Sequence, residues 1–161
     1  MLRRLWLILL VTLLIVSGGC LGERKTCTER TGGRLVVNLD GTWEIAQGSM
    51  DLIPGSFEHK VPVPGLVDMA EPSFDEVGKK SEKRQAFWYR RTFTVEGQIP
   101  AVAILKIHKA KYGTKVFLNG KLVGEHLPCF TPALLDVKKF FQNPIRSAYL
   151  AAAIHGQHPP V

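Results

Sequence analysis

The sequence predicts an all-β protein, a β-sandwich or jelly roll, behind an N-terminal export segment. Three observations carry that expectation. From Arg34 onward, short runs rich in β-branched and aromatic residues alternate at period two. Turn signals such as Asp40-Gly41 and Asn119-Gly120 separate them at close spacing. Beyond the first twenty residues, no stretch carries the 3.6-residue periodicity of an amphipathic helix.

Residues 1–20 read as a signal. Arg3 and Arg4 make a basic start, Leu5 to Val16 is apolar except for Thr12, and Ser17-Gly18-Gly19 supplies small residues before Cys20. That apolar run is short for a spanning helix, which needs roughly 20 such residues, and suits an export signal. Small residues before a cysteine resemble the lipobox of bacterial lipoproteins, although Ser17 stands where an aliphatic residue is usual. Lipid on Cys20 would anchor the mature chain to a membrane surface without spanning it. The expected location is therefore periplasmic or at the cell surface.

The 161 residues carry a formal charge of +7, and the two signal arginines account for two of these charges. The densest basic group, Lys79, Lys80, Lys83 and Arg84, is diluted by Asp75, Glu76 and Glu82. It reads as a solvated loop, and a nucleic-acid partner is not expected of an exported chain. Of the three cysteines, Cys27 and Cys129 could pair in an oxidising compartment, but spacing alone does not decide it. No His/Cys spacing suggests a metal site, and no cofactor motif is present.

Residues 21–33 are polar, glycine-bearing and aperiodic, as a linker would be. In "RLVVNLDGTWEIA", Leu35, Val37 and Leu39 alternate up to Asp40-Gly41, and Trp43 and Ile45 continue beyond it, which predicts two strands joined tightly. "HKVPVPG" (59–65) has prolines at 62 and 64, and so suits an edge strand. Residues 66–86 form a long loop with a short helical turn near Leu66–Ala70. "FWYRRTFTV" (87–95) puts Phe87, Tyr89, Phe93 and Val95 on one face together with Arg91, a charge that needs a partner. "AVAILKIHK" (101–109) alternates again, and "PALLDV" (132–137) is a further short strand. Between them, strands near 114–119 and 121–125 flank Asn119-Gly120, the signature of a type I′ hairpin. The tail from 144 to 161 is alanine-rich, lacks alternation and ends on Pro-Pro, so the closing strand of a sandwich is not visible in it.

No catalytic constellation emerges. Glycoside hydrolysis needs two carboxylates about 5–5.5 Å or 6.5–9.5 Å apart. Among fourteen acids, Glu71 and Asp75 come nearest to a candidate pair, and solvated loop acids are the ordinary reading of both. Trp43, Trp88, Tyr89 and Tyr112 could offer sugar-stacking faces. The strand phase of Trp43 and Tyr89 points them to the core, and Tyr112, beside Gly113, is the ring best placed for exposure.

Taken in order, "NLDGTWEIA", "VPVPG", "FWYRRTFTV", "VFLNGKLVGEH" and "FTPALLDV" resemble the N-terminal sugar-binding domain of glycoside hydrolase family 2. That family comprises β-galactosidases, β-glucuronidases and β-mannosidases. The resemblance spans Leu35 to Val137 and implies a jelly roll of the galactose-binding-like type, over residues 34–143. In the family an immunoglobulin-like sandwich and a TIM barrel with two catalytic glutamates follow; a barrel takes about 250 residues, more than this chain holds. The resemblance therefore implies a carbohydrate partner and no activity from the chain alone. Candidate carbohydrate-facing residues are Asp68, Glu71 and Asp75 in the long loop, Tyr112, and His126 at the end of the hairpin. Pro128-Cys129 replaces a usual glycine, and the tail departs from the family pattern, as a frameshift or truncation near Asn143 would produce. Two other readings are a free-standing carbohydrate-binding lipoprotein and a non-functional gene remnant.

Overall fold

A computed structural model describes residues 28–31, 33–75, 77, 86–95, 100–141 and 148–155. The signal, Cys20, Cys27, the basic stretch 78–85 and the chain end after 155 lie outside the described residues. Within them the chain is all-β, and its sheets are not closed into a barrel.

Among the described residues ten strands occur, in chain order: β1 (Thr28–Thr31), β2 (Arg34–Val37), β3 (Gly41–Gly48), β4 (His59–Val63), β5 (Ala86–Phe93), β6 (Ile104–Ile107), β7 (Thr114–Leu118), β8 (Lys121–His126), β9 (Ala133–Asp136) and β10 (Ala148–His155). Six of them form one sheet in the order β4-β3-β5-β10-β7-β8, with every pairing antiparallel. A two-stranded sheet, β6-β9, and the hairpin β1-β2 complete the set.

The proline-bearing "HKVPV" takes the sheet edge as β4, where a missing N–H costs no ladder bond. A 3-10 turn at Val67–Met69 follows it. Asn119 and Gly120 both have positive φ, +51° and +77°, as a type I′ turn between β7 and β8 requires.

Three sequence expectations are corrected. The presumed linker 21–33 contains β1, which pairs with β2 from Thr28↔Val37 to Thr31↔Arg34. Asp40-Gly41 is consequently not a hairpin turn, because β2 pairs with β1 while β3 pairs with β4 and β5. Gly41 instead has φ +131°, and a Cβ there would stand 2.9 Å from Arg91 Nη1, so glycine admits the guanidinium against the start of β3. Most consequentially, the alanine-rich tail supplies β10, which joins β5 to β7 at the centre of the large sheet. Alanine is a weak strand former, so this run reads poorly as a strand in isolation and is fixed by its two neighbours.

The core lies between the large sheet and β6-β9. Trp43, Ile45, Val61, Phe87, Phe93, Val116 and Leu118 face inward, and Leu105, Ile107 and Leu135 pack onto them from the smaller sheet. Tyr89 shares this face, and burial pushes its phenol up to about 12. Arg91 lies on it too, as its phase predicts. Its Nη1 donates to the Thr42 carbonyl at 3.2 Å, while its buried Nε has no partner among the described residues.

On the opposite face, residues 49–58 cross the sheet as a strap over a second cluster. Trp88 is 0% exposed there, packed with Met50, Ile53, Phe57 and Phe117. Its indole N–H donates to the Ser49 carbonyl at 2.6 Å. Lys115 reaches Asp51 at 2.6 Å and Glu125 at 3.4 Å, and the Asp51 hydrogen bond above all raises its pKa. Arg90 pairs with Glu44 at 2.7 Å and stands 4.0 Å over the Phe57 ring.

Candidate functional site

A concavity lies beside β3 and β4, where the strap returns to the sheet and the segment after the 3-10 turn folds back. The cleft has a volume of about 450 Å³; its wall includes Gln47, Ser56, Glu58, His59, Ser73 and Asp75, with Ala46, Pro54 and Phe74 as its apolar part. Local pairing builds it. Lys60 and Glu71 exchange backbone hydrogen bonds of 2.8 and 2.7 Å, which closes residues 70–75 against the β4 edge. Phe74 is thereby buried and stacks on His59 with ring centroids 3.9 Å apart, and it touches Phe87 at 5.3 Å.

His59 Nδ1 lies 2.5 Å from the Pro72 carbonyl oxygen. A carbonyl only accepts, so Nδ1 carries the proton and Nε2 of the neutral ring presents a lone pair. Glu58 and Asp75 add carboxylates that, when ionised, only accept. The described wall thus offers donors, from Gln47, Ser56 and Ser73, as well as acceptors.

The sequence candidates divide. Asp75 lines the cleft. Asp68 is exposed on the 3-10 turn, and Glu71, also exposed, serves the site through its backbone. Tyr112 and His126 belong to a different group. His126 Nε2 is 2.8 Å from Thr131 Oγ1, the Cys129 thiol contacts the Lys111 carbonyl, and the Lys111 ammonium stands 5.4 Å over the Tyr112 ring. Cys129 is a free, exposed thiol. In the sheet, Gln47, Phe87, Ile154, Thr114 and His126 share one row, so His126 lies four strand spacings, roughly 19 Å, from the cleft. No single sugar ring spans that distance. Trp88, a candidate stacking face, is enclosed under the strap, because its side of β5 is covered by residues 49–58.

Sequence reasoning missed Gln47, Glu58 and His59. Nothing in "HKVPV" singles out His59; its role depends on the Pro72 carbonyl, thirteen positions later. Among the described residues no group of three or more His, Cys, Asp or Glu is placed to hold a metal ion.

No protein-family model matches the chain. The β-glucuronidase of Canis lupus familiaris is 29% identical over 163 residues, covering 91% of this chain and 24% of that protein. The β-glucuronidase of Bifidobacterium dentium, solved with coumarin-3-O-glucuronide, shares the fold at a TM-score of 0.56 and 23% identity, over 75% of this chain and 20% of that one. That of Faecalibacterium prausnitzii gives a TM-score of 0.52 at 26% identity, over 72% of this chain and 20% of that one. The chain thus spans about a quarter of the length of the curated relative it matches. In sequence and in fold, it is a homologue of the β-glucuronidases of glycoside hydrolase family 2, corresponding to a part of their length.

Proposed function

We propose that this chain is the non-catalytic, sugar-binding β-sandwich of an exported family 2 glycoside hydrolase, and that it contributes carbohydrate contact and scaffolding without cleaving bonds. One observation carries the reading: the similarity takes in 91% of this chain but only 24% of the β-glucuronidase it matches. Purified full chain should not turn over 4-nitrophenyl β-D-glucuronide above the buffer rate. Turnover abolished by Glu58→Gln, Glu71→Gln or Asp75→Asn would overturn the proposal.

The export part rests on residues 1–20. Intact-mass analysis of the N-terminus after expression in a bacterial host should find Cys20 as the first residue, carrying a diacylglyceryl thioether. A mature chain that begins elsewhere without lipid would replace the anchored form with a freely secreted one. A second reading is a free-standing carbohydrate-binding lipoprotein, and downstream DNA that encodes no barrel would support it.

A further inference from the structure

We infer that the paired loops 108–113 and 127–132 form a contact surface for an anionic lipid bilayer; the inference rests on the export reading above. The Phe130 N–H donates to the Ala110 carbonyl at 2.8 Å, and the Cys129 thiol contacts the Lys111 carbonyl, so the two loops lie side by side. On this tip Leu127 is 75% exposed and Phe130 61%. Phe130 holds a φ of +59°, a region costly for a bulky side chain, yet its ring stays unburied. Packing within the chain does not offset that strain, and strain of this kind concentrates at contact sites.

Charge selects the partner. Lys109 and Lys111 are exposed on the first loop, and neither loop contains an Asp or Glu. Beyond them, the β6–β9 register sets Lys106 opposite Leu134, both exposed on the outward face of the small sheet. Exposed apolar side chains flanked by cations match the surface of an anionic bilayer. Leu127 and Phe130 would enter the boundary between headgroups and acyl chains, while the ammonium groups meet phosphates. The tether points to the same partner. With lipid on Cys20, the chain from there to Thr28 reaches at most about 29 Å when extended, which keeps the folded part beside the bilayer.

The test uses the full chain with Cys20→Ser and Cys27→Ser, labelled at Cys129 with the environment-sensitive fluorophore nitrobenzoxadiazole. It would be reconstituted through its apolar residues 1–20 into vesicles of phosphatidylcholine alone or mixed with phosphatidylglycerol. The anionic vesicles should move the label to its apolar emission, the neutral ones should not, and high salt should reverse the shift. Lys109→Gln and Lys111→Gln should each lower the loop–bilayer equilibrium, read from that emission, about fivefold. Phe130→Gly relieves the strain and leaves the chain folded, and it should lower the equilibrium about tenfold or more. Emission alike in both vesicles, or a shift that Phe130→Gly leaves intact, would overturn the inference. A shift that follows protein density and not lipid charge would also overturn it, and would assign the tip to a second copy of the chain. The label is read without lipid on Cys20, so failure here stays separate from failure of the anchor in the mass analysis.

Discussion

Replacing Trp88 by Phe tests whether the strap 49–58 is held by the second cluster. The change removes the indole N–H that donates to the Ser49 carbonyl at 2.6 Å, a bond worth about 0.5–1.5 kcal/mol net. It also leaves a void where the larger ring, 5.3 Å from Phe117 and 0% exposed, was enclosed. Complete removal of a buried Trp side chain costs about 3–5 kcal/mol, and trimming to phenyl forfeits about a third of that, so the sum is about 1.5–3 kcal/mol. For a domain of this size the midpoint should fall by roughly 6–12 °C. Thermal and guanidinium unfolding of the full chain, followed by far-ultraviolet circular dichroism, would measure the shift and the loss. Hydrogen exchange should rise selectively in 49–58. A loss below about 0.5 kcal/mol, with exchange at 49–58 unchanged, would refute the assignment of the strap to Trp88.

Three further outcomes follow from local geometry. A Cβ on Gly65 would stand 2.4 Å from the Pro62 carbonyl oxygen, so Gly65→Ala should cost about 2–3 kcal/mol in urea unfolding, while Gly55→Ala, which meets open space, should stay within about 0.5 kcal/mol. Phe130 has φ +59° and is 61% exposed; Phe130→Gly should therefore stabilise by about 0.5–1 kcal/mol, measured as a higher midpoint. Tyr89 titrates at about 12 when folded, against 10.0 for a free phenol. The unfolded chain loses this proton first as pH rises, so stability holds below pH 10 and falls toward pH 12 by about 1.4 kcal/mol per unit, and Tyr89→Phe should flatten that slope.

What the sequence revealed depended on how local the cause was. The β7–β8 turn was legible because Asn119-Gly120 satisfies its backbone requirement alone. The edge position of β4 followed from Pro62, and the inward phase of Phe87, Tyr89 and Arg91 from alternation within one strand. β10 was illegible because its strand character is imposed by β5 and β7 across long sequence separations. Asp40-Gly41 misled for a related reason: a glycine can be required by an arginine fifty positions away as readily as by a turn. The cleft was half legible. Asp75 stood out as a loop acid, but Gln47, Glu58 and His59 meet it only through strand pairing and the Lys60–Glu71 bridge.

The central position of β10 has a consequence for how the protein assembles during synthesis. Before residues 148–155 emerge, β4-β3-β5 and β7-β8 are two separate ribbons, each with an open row of backbone donors and acceptors where β10 will dock. At roughly 5–20 residues per second the nascent chain carries those sticky margins for several seconds. β10, made after both ribbons, then inserts between two pre-existing partners and closes both ladders at once. Folding is thereby a late, high-contact-order event.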